Sequence, residues 1–411
     1  QIVSPPIITN KFNLTIYQKN TEGRDVKVEE HLNVTLDEGE TRYLPKVLKQ
    51  NSVLIEVPEI SIGSGEWLVK SGSLNATPLD PISSPPEPSD GLPMPQALTG
   101  GLDGGDIDSN EYIGSDADQT GLYALKQADL FNLLCIPPPK RRSNTPNNVY
   151  QTALTICNEK RAILLVDPPM EWGTIASEAV SKAKNGLAGL GLSGSAARNA
   201  AIYLPRIEQP DPLRGNQIDT FVPCGVIAGA IAKNDTARGI WKAPAGIDVG
   251  LNGISGLQVN LSDPENGLLN PLGINCLRSF PTIGRVIWGA RTLRGADILA
   301  DEYKYLSVRR MLLFMQESLY RGLKWVVFEP NDEPLWSQIR LNVGAFMHNL
   351  YRQGAFQGKK KEAYFVKCDS ETTNQADINA GIVNVVVGFA PLKPAEFVII
   401  TFQQMAGQID T

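Results

Sequence analysis

The sequence predicts a layered α/β core followed by an α+β C-terminal part, and three observations carry that reading. Between residues 101 and 274 short apolar runs alternate with helix-length amphipathic segments. From residue 275 onward, two stretches with apolar residues on one helical stripe are followed by three strand-like runs. At 411 residues and 42% hydrophobic content, the chain is long enough for two or three domains, each with its own core.

Residues 1–57 read as a small α+β piece, with strands at Phe12–Gln18, Val26–Val34 and Val53–Val57 around a helix from Arg42 to Lys49. Residues 58–100 are crowded with Pro, Ser and Gly, including Pro85-Pro86-Glu87-Pro88. Such a composition buries little and marks a surface excursion or linker. The α/β segment, residues 101–274, then reads as helix Thr120–Ala128, strand Leu130–Ile136, helix Tyr150–Arg161, strand Ala162–Val166 and helix Ile175–Asn185. In residues 275–411, helix Leu306–Tyr320 places Val308, Met311, Leu312, Met315 and Leu319 on one stripe. Helix Ser337–Arg352 does the same with Ile339, Val343, Phe346, Met347 and Leu350. A strand, Trp325–Glu329, is expected between them, and Ala363–Lys367, Ile382–Gly388 and Glu396–Phe402 complete the chain. Both faces of the last run are apolar, so another element must cover it.

The totals exclude several classes. A formal net charge of −6 argues against a dedicated nucleic-acid binder, and the basic runs Lys140–Arg142 and Lys359–Lys361 read as solvated turns or local contact points. Five scattered cysteines without CxxC spacing fit buried thiols in a reducing, cytoplasmic setting rather than disulfides or a zinc site. Asn-x-Ser/Thr triplets at Asn13, Asn33, Asn75, Asn234 and Asn260 are read as chance, because no start signal supports a secretory route. The longest apolar runs, such as Ile382–Pro391, fall short of the roughly 18 to 20 residues of a membrane span.

Three motifs imitate chemistry. Gly189–Gly194 spells GxGxxG, yet a dinucleotide site needs a strand directly before it, and here a helix precedes. Asp106, Asp108 and Asn110 open like a calcium loop, but Glu111 stands where Gly is required and Ala117 where the bidentate Glu belongs. A hydrolase would have to recruit His31 or His348 as general base, and neither sits near a GxSxG nucleophile elbow. No catalytic, cofactor or metal residues are assigned. Arg291, Arg309 and Arg310 stand among apolar neighbours, a setting suited to buried pairing with carboxylates, either with Glu317, Glu329 or Asp369 or across subunits.

The tract Val222–Arg294 holds no candidate catalyst. Gly and Pro fix its turns, small residues permit close backbone approach, and Trp241, Lys242, Trp288 and Arg291 are residue types that anchor interfaces. Its words, Pro223 to Ala245 and Trp288 to Leu293, are joined in order by Asn132–Pro137, Asp167-Pro168-Pro169, Leu269-Asn270-Pro271, Val308-Arg309-Arg310, Val327–Asn331, Phe365–Asp369 and Pro394–Val398. Together they resemble the contractile tail sheath family over nearly the whole chain, from about Phe12 to Gln404. Family members usually begin with a further N-terminal arm, so part of the N-terminus is expected to precede Gln1.

The resemblance implies a subtilisin-like central domain without a catalytic triad, no enzymatic activity and no cofactor. It implies subunits that form hexameric rings in a helical sheath around an inner tube and drive tube ejection by switching from a metastable extended state to a contracted one. C-terminal domains would be linked by strand exchange, placed here on Glu396, Phe397, Val398, Ile399, Ile400, Thr401 and Phe402. Expected partners are further copies, an inner tube protein, and baseplate and terminal cap proteins, without nucleic acid or direct membrane insertion. Assembly would be cytoplasmic, and the mature particle a phage virion or contractile injection system. The outer face of Ser337–Arg352 and the turn Lys359, Lys360, Lys361 are basic and polar, and are expected to face the tube. A subtilisin-like hydrolase is the alternative.

Overall fold

The computed structural model describes residues 11–19, 24–35, 40–56, 68–69, 105–173 and 175–397. The chain divides into two units, Gln1–Asp106 and Ile107–Thr411. In the first, β1 (Lys11–Lys19) and β2 (Asp25–Thr35) form an antiparallel pair. Helix α1 (Leu44–Asn51) buries Leu44, Val47 and Leu48 against Val34, with Pro45 in its first turn where a missing N–H costs nothing. Glu29 of β2 ties down the end of this helix, accepting from Ser52 Oγ at 2.6 Å and from the Val53 and Leu54 N–H groups at 2.7 and 3.0 Å. Of the strand expected at Val53–Val57, Ile55–Glu56 forms β3, paired with β4 (Leu68–Val69), and Val57 lies outside the described residues. The rest of the expected excursion, 58–100, lies outside the described residues.

The second unit opens with a short helix α2 (Ser109–Ile113), capped by Asp108 and Glu111, so Asp108 of the calcium-like run serves as a helix cap. A 3-10 turn, Gly121–Gln127, stands where helix Thr120–Ala128 was expected. Chain order then runs β5 (Leu133–Cys135), α3 (Asn147–Glu159), β6 (Ile163–Val166), α4 (Ala176–Gly186), β7 (Ala200–Leu204), β8 (Ile207–Asp211), β9 (Gln217–Phe221), α5 (Cys224–Arg238), β10 (Gly256–Leu257), α6 (Asp263–Leu269), β11 (Ile274–Phe280) and β12 (Gly284–Ile287). The main sheet has order β12-β11-β7-β6-β5, parallel except for the antiparallel edge strand β12. Strands β10, β8 and β9 make a smaller antiparallel sheet.

Strand periodicity explains the layering. Leu164, Val166, Ala200, Ile202 and Leu204 face one core with α3 and α4. Ile163, Leu165, Ala201 and Tyr203 face the other with Ile227 and Ile231 of α5. A sheet covered on both faces needs apolar residues at every position, which is why β6 reads Ile-Leu-Leu-Val without alternation. The boundary expected between residues 274 and 275 is corrected here. Ile274, Asn275 and Cys276 pair with Ile202, Tyr203 and Leu204, so the sheet continues to Ile287.

Beyond it lie α7 (Leu306–Gly322), α8 (Glu333–Arg352), α9 (Lys360–Ala363), β13 (Tyr364–Lys367), α10 (Gln375–Asn379) and β14 (Val386–Phe389). Met311 and Met315 of α7 meet Ile339, Val343, Met347 and Leu350 of α8 in a third core, covered by the β13–β14 pair. Leu306 and Leu313 of α7 reach back into the core beneath α5, which joins this part to the α/β layers. The strand expected at Trp325–Glu329 is absent. Lys324–Val326 is a 3-10 turn, and Val327 and Phe328 are exposed.

Candidate subunit interface

The last described residues, Leu392 to Phe397, run beside the tract that the sequence singled out. Their anchor is built outward from the core sheet. Asn275 of β11, fully buried, donates from Nδ2 to the Ile202 carbonyl at 3.0 Å and to the Arg291 carbonyl at 2.8 Å. Its Oδ1 accepts the Arg291 N–H at 2.7 Å. Gly289 permits this approach, since a Cβ there would stand 2.9 Å from the Asn275 Cα. Gly289→Ala is therefore expected to cost about 1–3 kcal/mol, read as a lower denaturation midpoint.

So positioned, the Arg291 guanidinium has no exposed surface and forks onto Glu396, with Nε to Oε1 at 2.8 Å and Nη2 to Oε2 at 2.6 Å. Nη1 donates to the Gly295 carbonyl and to Asp297, each at 3.0 Å. Tyr305 OH donates to Glu396 at 3.2 Å, and Lys304 stands 3.7 Å from the same carboxylate. Burial would push the Glu396 carboxyl up, but Arg291, Asn270 and Lys304 outweigh it and hold it below the usual range. Each guanidinium nitrogen of Arg291 thus donates within the chain.

Two neighbouring arginines fasten α7 to the α/β layers. Arg310 forks onto Asp235 of α5. Arg309 Nε donates to Asn199 Oδ1 at 2.8 Å, while its guanidinium and that of Arg198 each lie about 5 Å from the Tyr303 ring. Asp301, almost fully buried, accepts from Arg198 and Arg294. The expected partners Glu317, Glu329 and Asp369 are therefore corrected. Glu317 pairs with Arg161 and Arg321, Asp369 accepts from the Glu371 and Thr372 N–H groups, and Glu329 carries no ion pair among the described residues. Within the chain, Arg291 is engaged by Glu396, Asp297 and the Gly295 carbonyl, and Arg310 by Asp235.

Of the strand-exchange residues, Glu396 and Phe397 are described and not in a strand, with Phe397 exposed. Val398, Ile399, Ile400, Thr401 and Phe402 lie outside the described residues. Lys359, Lys360 and Lys361 are exposed at the start of α9. The run Lys140–Arg142 is not simply solvated, since Arg141 pairs with Asp211 and Arg142 with Asp219. The GxGxxG run follows α4 and precedes β7, the reverse of the nucleotide-binding order. His31 and Ser52 both bond to Glu29 rather than to each other, and His348 Nδ1 lies 3.3 Å from Tyr364 OH. Among the described residues no group of three or more His, Cys, Asp or Glu side chains could hold a metal ion, and no helix is long and apolar enough to cross a membrane.

An α/β sheet is thus bound through arginine forks to a helical C-terminal part, and the segment ending at Phe397 is clamped through Glu396. Residues 116–293 match the phage tail sheath protein central domain and residues 300–405 the phage tail sheath C-terminal domain. The chain belongs to the contractile tail sheath family. It is 28% identical over 192 residues to the tail sheath protein of Vibrio phage KVP40, covering 46% of this chain and spanning only 27% of that relative's length. Among solved structures it is similar to the anti-feeding prophage helical sheath in its contracted state, at 30% identity and TM-score 0.55, over 71% of this chain and 76% of that one. It is also similar to the contracted PVC sheath complex of an extracellular contractile injection system, at 28% identity and TM-score 0.58, over 69% and 75% of the two chains.

Proposed function

We propose that this chain is a non-enzymatic subunit that polymerises as hexameric rings around an inner tube and drives tube ejection by switching from an extended to a contracted state. The observation that carries this is its similarity, over about three quarters of their length, to subunits of two contracted sheaths. A subtilisin-like layering of the central domain is part of the same reading. The free energy of the stroke would be stored at assembly as the difference between two sets of interfaces, a few kcal/mol per subunit being enough when many act together. The inner tube, baseplate and terminal cap would hold the extended state, and the mature particle would be a phage tail or injection system assembled in the cytoplasm.

Within this reading the segment 396–402 donates a strand to a neighbouring copy, with Arg291 fixing where it leaves the fold. The exposed Lys359, Lys360 and Lys361 would face the tube. Purified alone, the chain should form hollow tubes in the contracted form under negative stain. Monodisperse monomers at high concentration would overturn the proposal. Removing residues 395–411 should leave soluble subunits and no tubes, and long sheaths after that deletion would refute strand donation.

A further inference from the structure

We propose that the corner Val327-Phe328-Glu329 of one copy seats in an open pocket beside Trp241 and Trp288 of a neighbouring copy, a contact separate from the donated strand and resting on the sheath reading. Phe328 is fully exposed and holds φ at +72°, a conformation uncommon for a non-glycine residue and costly for a bulky one. The base of the corner is rigid. Trp336 Nε1 donates to Asn331 Oδ1 at 2.8 Å, Asn331 Nδ2 donates to the Ile382 carbonyl at 2.9 Å, and Asp332 caps α8. An aromatic side chain thus stands out beside a hydrogen-bonded base, flanked by exposed Val327 and by Glu329, whose carboxylate has no partner among the described residues.

The receiving surface is aromatic with cationic groups at its rim, beside a Glu396 carboxylate already taken up by Arg291. A pocket of about 670 Å³ is lined by the half-buried rings of Trp241 and Trp288 together with Arg238, Lys242 and Lys393. Lys393 is exposed, with no ion pair among the described residues, and burial followed by repulsion from Arg238 holds Lys242 below the usual lysine range. An aromatic flanked by a carboxylate fits an aromatic pocket rimmed by ammonium groups. The corner is not among the residues lining the pocket, and in this proposal it comes from a second copy. Two unlike surfaces meeting in this way propagate head to tail, as rings and helical assemblies require.

The test is charge reversal and exchange in the full chain, followed by sedimentation and negative-stain imaging. Glu329→Lys and Lys393→Glu should each raise the concentration needed for assembly at least tenfold, with unchanged unfolding midpoints because both groups are exposed. The double variant should restore assembly, and Phe328→Ser should abolish it. Single reversals that assemble like the parent chain, or a double variant that stays as impaired as either single one, would overturn the contact while leaving the sheath reading intact. A parent chain that never assembles would overturn both.

Discussion

Arg291→Met is expected to destabilise the Ile107–Thr411 unit by about 3–5 kcal/mol, measured by denaturant unfolding of the full chain. Arg291 is fully buried and meets Glu396, Asp297 and a backbone carbonyl at once, while the Glu396 side chain is only 15% exposed. Removing the cation strands a half-buried carboxylate, and the desolvation that its partner offset becomes a net cost. The double variant Arg291→Met with Glu396→Met should recover much of the loss, because paired apolar replacement leaves no orphaned charge. Arg291→Lys should fall between, since an ammonium cannot form the two parallel bonds. Equal stability of parent and Arg291→Met would show that Glu396 is not held there.

The clamp also has an acid limit. Glu396 is held below its ordinary pKa, so its contribution is fully present above the ordinary glutamate value, near 4.3, and is lost as pH falls through the lower folded value. At neutral pH the root of the C-terminal segment is firmly docked. Any lever action of that segment would begin from this fixed point.

Much of the layering was legible in sequence because burial imposes its own period. Of the two predicted stripes, Val308, Met311 and Met315 on α7 and Ile339, Val343, Met347 and Leu350 on α8 are buried as the 3.6-residue pattern requires, while Leu312, Leu319 and Phe346 are half-buried. The run Trp325–Glu329 misled for the same reason in reverse. Five residues are too few for periodicity to separate a covered strand from an exposed corner, and Phe328 faces solvent. The boundary placed at 274 failed because β11 joins its sheet beside β7, some seventy residues earlier, and pairing at that range leaves no local mark.

The ionic anchors were half legible. Apolar surroundings singled out Arg291, Arg309 and Arg310, yet their partners lie 105, 110 and 75 residues away. Glu317, one of the partners expected for these arginines, turns instead to Arg321 one helical turn on and to Arg161. Asn275 escaped notice altogether. An asparagine inside an apolar strand was the available signal, because a fully buried amide must satisfy its donors and acceptor somewhere.

Asp167→Asn should remove a pH dependence of stability worth about 3 kcal/mol between pH 4 and pH 7. Asp167 follows β6 and is almost fully buried. Its Oδ1 accepts the Cys224 N–H at the start of α5 at 2.9 Å, while Oδ2 has no hydrogen-bond partner. Burial pushes the carboxyl up to about 6, against the pull of the Cys224 bonds and of Arg206. The sign follows from the folded state holding this proton more tightly than the unfolded chain does. Its contribution is complete below the ordinary aspartate value, near 3.9, and is lost as pH rises through about 6. Near neutrality the fold therefore carries a buried, half-satisfied carboxylate, and an asparagine that keeps the Cys224 bond without the charge should gain on the parent as pH rises. Unfolding curves at pH 4.5 and 7.5 decide the matter. A difference between parent and variant that stays constant across that range would show that Asp167 titrates at its ordinary value and that the site is better solvated than its burial indicates.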